Sequence, residues 1–243
     1  MIRPLLTLFC LGLTACSPSI QTSSGSDYIG ATSAAFIDDD IAQAAAVEPN
    51  LHFPARIGIA RIVNGALTLP PAEETALFTG IAERNSRYGE FVAVSPLIMA
   101  MVSDRDTGIN RNTRYPSASA VIHQIRLASA RQHLDYVIIY EVGARSRTQN
   151  TPFALADVTL LGGMLLPTRN IDVAGIGAAA FLDVRNGYPY ATTQVSADLS
   201  GFARTFQADR RSNELRARAT LKVAEALVPD IEEMLSELAA RAK

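Results

Sequence analysis

The chain has 243 residues, a length that corresponds to about one or two domains. Hydrophobic residues make up 48% of it and charged residues 19%, which is a balance typical of globular proteins. The net charge of −2 gives no basic field for nucleic acid, so we expect no nucleic-acid partner.

The first sixteen residues have the pattern of an export signal. A positive charge at Arg3 precedes a short apolar run that ends at Leu13-Thr14-Ala15-Cys16. The run is too short to span a bilayer, which needs about 20 apolar residues. The closing tetrapeptide resembles a bacterial lipobox, in which a signal peptidase cuts before the cysteine and the thiol carries a diacylglycerol. We expect residues 1–15 to be a signal peptide and Cys16 to be lipidated; an ordinary signal with a chance cysteine is the alternative.

The residues around this cysteine predict where the protein is held and which chemistry it lacks. Ser17 occupies the position at which lipoproteins retained in the inner membrane usually have Asp, so we expect the outer membrane and its periplasmic face. Cys10 leaves with the signal and Cys16 would be acylated, so the mature chain would have no free thiol. Thiol catalysis, disulfides and thiolate metal sites are then excluded.

Residues 16–50 are predicted to form the lipidated cysteine and a flexible tether. Thr22-Ser23-Ser24-Gly25-Ser26 is small and polar, as flexible linkers are. Asp38-Asp39-Asp40 precedes three alanines, which predicts a short helix with acidic residues at its start. Residues 51–243 are predicted to form one globular domain.

Strands and helices alternate in the first half of this domain. The predicted elements are a strand at Arg56–Val63, a helix beginning at Pro70–Glu74, a strand at Phe91–Met99 interrupted by Pro96, a helix capped by Ser117 or Ser119, and a central strand at Asp135–Val142. Ala154–Leu166 fits either a strand or a helix.

A long β-hairpin is predicted next. Its strands are Ile171–Val184 and Tyr188–Asp198, joined at Arg185-Asn186-Gly187. The second strand alternates, which places Tyr188, Tyr190 and Thr192 on one face. Gly175 and Gly177 share a face of the first strand, so we expect another element to pack closely there.

An amphipathic helical tail is predicted from about Asp209. Its apolar stripe consists of Leu221, Ala224, Val228, Ile231, Leu235 and Leu238. Pro229 predicts a kink or a division into two helices. The stripe either packs on the domain's own sheet or, through Ile231, Leu235 and Leu238, binds an envelope protein.

Motifs with catalytic or metal-binding meaning are weak. Asp106-Thr107-Gly108 matches the aspartic-protease triplet, but no second copy follows, so we interpret it as a turn. His52, His123 and His133 lack the spacing of a metal pair, and Asp38-Asp39-Asp40 lacks that of a calcium loop. We therefore predict no cofactor, no metal site and no enzymatic activity.

Two passages resemble known envelope proteins. Ala128-Ser129-Ala130-Arg131-Gln132-His133-Leu134-Asp135-Tyr136-Val137-Ile138 resembles a helix-then-strand segment of curli-secretion-channel lipoproteins and of the amino-terminal domain of the Tol-system periplasmic protein. Leu160–Pro167 and Ala178–Gly187 resemble the rhombotarget lipoprotein family. That resemblance implies an envelope lipoprotein associated with a rhomboid-type intramembrane protease.

The predicted fold is α/β, with α+β possible: a single domain with a mixed β-sheet, packed helices, a long hairpin and the C-terminal amphipathic helix. The predicted function is a non-enzymatic binding or assembly module held at the outer membrane by Cys16. An unrecognised periplasmic hydrolase and a subunit of an oligomeric secretion assembly are the alternatives.

Overall fold

The computed structural model describes residues 18–31, 38–102, 117–150, 169–203 and 207–242. Their backbone forms one mixed sheet of seven strands with helices packed on it, which confirms the predicted α/β class. The strands are β1 (Ser19–Ile20), β2 (Ala55–Val63), β3 (Ala66–Thr68), β4 (Gly89–Ala93), β5 (Tyr136–Asn150), β6 (Arg169–Asp183) and β7 (Pro189–Ala203). The helices are α1 (Gly25–Ala31), α2 (Asp39–Ala45), α3 (Ala72–Arg84), α4 (Pro96–Val102), α5 (Ala118–Arg131) and α6 (Ala208–Arg241).

The sheet combines a parallel and an antiparallel half. Its order is β1-β7-β6-β5-β2-β3, and β4 pairs with the first part of β2. The strands β4, β2 and β5 are parallel, and helices α3 and α5 lie in the connections between them, as parallel pairing requires. The strands β5, β6 and β7 are antiparallel and each has 15 residues, so this half is a long meander.

The two faces of the sheet are covered differently. Helices α3 and α6 pack on one face, where the largest core cluster includes Ile57, Phe78, Phe181 and Ile231. Helices α4 and α5 cover part of the other face, over β2 and the start of β5. The rest of that second face is open, and its exposed side chains include Glu141, Arg145, Ala174, Ile176, Ala178, Gln194, Ser196 and Asp198.

Helix α6 packs against β6 at Gly175 and Gly177. A Cβ atom at Gly175 would lie 2.7 Å from Val223 Cγ2, and one at Gly177 would meet Val223 and come within 3.0 Å of Leu227 Cδ1. The absence of side chains therefore lets the helix approach the sheet, which confirms the predicted close packing.

The apolar stripe of α6 belongs to the domain's own core. Ile231, Leu235 and Leu238 have no exposed surface and pack with residues of the sheet and of α3. In this fold the three side chains leave no surface that an envelope protein could cover, and an envelope partner stays a prediction. The helix is also continuous through Pro229 rather than divided. Pro229 and Glu225, whose carbonyl loses its helical partner, are both exposed, so water can bind the freed carbonyl.

Some predicted boundaries differ from the structure. Pro96 begins helix α4 instead of interrupting a strand, since proline fits the first turn of a helix. Ser117 is the N-cap of α5, and its hydroxyl accepts a hydrogen bond from the Ala120 N–H at 3.2 Å. Ala154–Leu166 lies outside the described residues.

The second strand of the hairpin departs from its predicted alternation at Tyr190. Phe181 pairs with Ala191 and Leu182 with Pro189, which leaves Tyr190 as an extra residue. This bulge turns the Tyr190 side chain into the core, whereas Thr192 stays exposed. The predicted shared face is therefore wrong: Tyr188 and Tyr190 lie on the core side of the strand, and Thr192 lies on the exposed side.

Candidate functional site

Three tyrosines meet at the end of the sheet where β5 begins and β6 ends. Tyr136 lies on β5, Tyr190 lies on β7, and Tyr188 lies just before β7. The rings of Tyr188 and Tyr190 have centroids 5.0 Å apart, and those of Tyr136 and Tyr190 are 5.7 Å apart. All three side chains are buried, so a group of hydroxyls lies at the edge of an aromatic core.

These hydroxyls bind the main chain of the N-terminal segment (residues 18–31 and 38–54). The Tyr136 hydroxyl donates to the Asn50 carbonyl at 2.9 Å and accepts from the His52 N–H at 2.8 Å. The Tyr190 hydroxyl accepts from the Asn50 N–H at 2.8 Å, and the Tyr188 hydroxyl donates to the Ser23 carbonyl at 2.8 Å. We call Tyr136, Tyr188 and Tyr190 the tyrosine cluster.

The N-terminal segment also joins the sheet and the core. Ser19 and Ile20 pair with Thr192 and Ala191 of β7. The side chains of this segment that pack on the main core are Ile20, Val47, Leu51 and Phe53. The predicted tether thus differs from the structure, in which residues 18–31 and 38–50 lie on the domain. Composition predicted flexibility because the Ser/Gly run is polar, whereas the segment is held by its few apolar side chains and by the tyrosine cluster.

A charged group lies beside the tyrosine cluster. The Asp135 carboxylate accepts from the Arg185 guanidinium at 2.7 Å and from the Arg56 N–H at 3.0 Å. His52 Nε2 lies 3.8 Å from the same carboxylate, and His52 Nδ1 lies 2.9 Å from the Tyr136 hydroxyl. Asp135 therefore joins the start of β2 to the hairpin turn and faces the N-terminal segment.

The chemistry of this group is that of a structural contact. Burial raises the pKa of Tyr136 to about 12 and also raises the pKa of Tyr190, so both hydroxyls keep their protons at neutral pH. The described side-chain partners of His52 are Tyr136 and Asp135, which provide neither an alkyl hydroxyl nor a thiol. The arrangement holds a chain segment in place through main-chain hydrogen bonds.

A second buried polar group lies between β2, α3 and β5. The Arg61 guanidinium donates to both carboxylate oxygens of Glu74, at 2.8 and 3.1 Å. The Tyr140 hydroxyl donates to Glu74 Oε2 at 2.7 Å. Burial raises the pKa of Tyr140. Because each member is paired, the group is a satisfied core network.

The other residues considered for chemistry are dispersed. His123 and His133 are exposed, at different positions on and after α5, and Asp38, Asp39 and Asp40 lie at the start of α2. Cys16 and Asp106-Thr107-Gly108 lie outside the described residues. Among the described residues, no three His, Cys, Asp or Glu side chains come together as metal ligands would.

The tyrosine cluster is not among the predicted features, although the sequence contains a signal for it. Tyr188 and Tyr190 lie close together beside a hairpin turn, and Tyr136 begins the strand that pairs with the end of β6. Tyrosines that are buried on an apolar strand need a partner for the hydroxyl, which predicts a nearby main-chain or polar contact. The identity of that contact depends on the tertiary fold.

No protein-family model and no curated protein matches the chain. Several solved structures are similar at low identity. A minor lipoprotein from Acinetobacter baumannii has a TM-score of 0.35 at 9% identity, and the aligned region covers 77% of this chain and 94% of that protein. The PelC dodecamer from Paraburkholderia phytofirmans has a TM-score of 0.31 at 12% identity, with coverages of 76% and 86%. The uncharacterized lipoprotein B from Nitrosomonas europaea has a TM-score of 0.32 at 12% identity, with coverages of 79% and 88%. Likenesses this weak carry no functional inference for this chain.

Within the described part of the chain, no helix has both the length and the apolarity needed to cross a bilayer.

Proposed function

We propose that the chain is a bacterial lipoprotein anchored to the outer membrane through acylated Cys16, and that its domain is a non-enzymatic binding or assembly module of the envelope. The observation that carries this proposal is the sequence Leu13-Thr14-Ala15-Cys16 after a short apolar run. A diacylglycerol with an added amino-terminal chain would make the anchoring stable, whereas a single chain binds only marginally.

The non-enzymatic part of the proposal is supported by the use of the polar groups. The tyrosine cluster, Asp135 and the Arg61–Glu74 pair all bind main chain or one another. A catalytic acid or base would need a side chain free to face a substrate. In the described part of the domain these candidate groups already hold the fold together.

A binding role is supported by the exposed side of helix α4. Leu97 and Met101 are one turn apart on this helix and are 71% and 76% exposed. Ile98 and Val102 on the same helix pack against the core. The helix therefore has one apolar side in the core and another in solvent, where a partner can cover it.

The anchoring is tested by comparing the wild type with Cys16→Ser, using Cys10→Ser as the matched control. Mass spectrometry of the mature amino terminus should show acylated Cys16 in the wild type and in Cys10→Ser, and both should fractionate with the outer membrane. Cys16→Ser should lose the membrane association and keep its thermal melt. A wild-type product that begins at another residue and is released in soluble form would refute the anchoring.

The binding role is tested by crosslinking in intact envelopes. Leu97→Asp should remove a crosslinked adduct of the wild type, while Leu69→Asp should keep it, since Leu69 is also well exposed, at 63%, but lies outside α4. An adduct that survives in the double variant Leu97→Asp, Met101→Asp would show that α4 is not the binding surface.

A further inference from the structure

The distance along the chain between the proposed lipid and the sheet is very short. Ser19 is the first residue of β1 and pairs with Thr192 of β7. It lies three residues after Cys16. Three extended residues span at most about 11 Å. An acyl group on Cys16 therefore holds this edge of the sheet next to the bilayer and leaves no free spacer.

Strand β7 has a long edge beyond this contact. Strand β1 pairs only with Ala191 and Thr192, and within the described residues no other strand pairs with the outer side of β7 as far as Ala203. Exposed edge strands are usually protected by charged side chains, because free N–H and C=O groups invite pairing with another chain. The 15 residues of β7 contain one charged residue, Asp198, so their side chains provide little of this protection.

The surface along this edge suits phospholipid headgroups. The exposed side chains of β7 near the anchor are Thr192, Gln194 and Ser196, which project from the open face of the sheet beside this edge and are polar and uncharged. They experience no charge repulsion from an anionic bilayer. Headgroups and their water can also hydrogen-bond the free main-chain groups of the edge, which apolar lipid tails cannot.

We propose that the edge formed by β1 and β7 lies on the phospholipid surface to which Cys16 is attached, so that the domain is held edge-on against its own membrane. This proposal rests on the acylation proposed above. The far edge of the sheet, at β4, is four strand spacings from β7, or about 19 Å, and points away from the bilayer.

The test uses single fluorescent labels on the acylated protein in vesicles of phosphatidylethanolamine and phosphatidylglycerol that contain a headgroup spin-labelled lipid. The acylated mature chain has no other thiol, so Ser196→Cys on β7 and Glu90→Cys on β4 can each be labelled alone; both positions are exposed. The spin label should quench the fluorophore at position 196 several-fold more than the one at position 90. A Gly/Ser insertion of 20 residues between Ser17 and Pro18, with a root-mean-square length of about 25 Å, should remove this difference.

The outcomes separate this proposal from the proposed function. A chain without acyl groups refutes the anchoring and the edge placement together. An acylated chain with equal quenching at positions 90 and 196, or with a difference that survives the insertion, refutes the edge placement alone. Disulfide-linked dimers that form through Ser196→Cys in the acylated chain without vesicles would assign the edge to a second copy and also overturn the proposal.

Discussion

The two ends of the described chain are attached to the same sheet in different ways. Helix α6 buries a continuous row of side chains from Leu215 to Leu238 and shares the main core with the sheet. The N-terminal segment buries no residue of α2 and is held by the hydroxyls of the tyrosine cluster, a two-residue strand and a few partly buried apolar side chains. Each such hydrogen bond contributes about 0.5–1.5 kcal/mol net. We infer that the N-terminal segment can detach while the domain stays folded, whereas α6 cannot.

The largest expected effect is the removal of a core side chain from α6. Leu235→Ala should lower the free energy of unfolding by about 2–5 kcal/mol, because Leu235 is fully buried and a cavity remains. Leu221→Ala is the matched control, since Leu221 is only half-buried on the same helix. Urea denaturation measures both, and equal small losses would show that α6 contributes no more than the N-terminal segment.

A smaller effect is expected at the contact between α6 and the sheet. Gly177→Val should cost about 1–3 kcal/mol, because the new side chain meets Val223 and Leu227. Gly143→Val serves as the control, since a Cβ atom at Gly143 has nothing within 4 Å. If thermal melts show no difference between the two variants, the contact of α6 with β6 is looser than described.

The N-terminal segment should respond locally to the loss of one hydroxyl. Tyr190→Phe leaves the Asn50 N–H without its acceptor, removes the 3.4 Å hydrogen bond to the Asp183 carboxylate and should cost about 1 kcal/mol. Hydrogen exchange at Asn50 should then accelerate by about fivefold while amides in β5 and β6 keep their protection. Tyr88→Phe is the control, because the described contacts of Tyr88 are made by its ring. Uniform acceleration across the sheet would contradict local detachment.

The smallest effect at neutral pH is expected from ionisation of the tyrosine cluster. The pKa of Tyr136 is about 12 in the folded chain against a reference of 10.0, so the unfolded chain ionises first as the pH rises. The stability contributed by protonated Tyr136 is complete below pH 10 and is lost as the pH rises towards 12. Free energies of unfolding at pH 8, 10 and 11 should fall less steeply for Tyr136→Phe than for the wild type; identical slopes would refute the shifted pKa.

The sequence predicted the features that depend on local pattern. The alternation of strands and helices, the turn at Arg185-Asn186-Gly187 and the close packing at Gly177 follow from residue types that restrict the backbone or the space around it. Together these features predict most strands of the sheet and the helix α6 that packs on it. Acylation of Cys16 stays a prediction, since that residue lies outside the described part of the chain.

The features that the sequence did not predict depend on contacts between distant residues. The polar run near Ser24 resembles a free linker until Tyr188 is placed beside Ser23 by the fold. The inward turn of Tyr190 depends on a one-residue shift in pairing that leaves no local mark. The stripe at Leu235 could pack on the domain or on a partner, and the sequence alone does not decide between them. Helix α6 packs on the domain because the two glycines of β6 let it approach the sheet.

The pairing of β1 with β7 also fixes an order of events during the life of the chain. The contact between Ser23 and Tyr188 joins residues 165 positions apart, and synthesis produces the first long before the second. The N-terminal segment therefore stays undocked until almost the whole domain has been made. Such long-range closure is the slow kind of contact in folding. Docking of the N-terminal segment therefore follows only after the last strand of the sheet is in place.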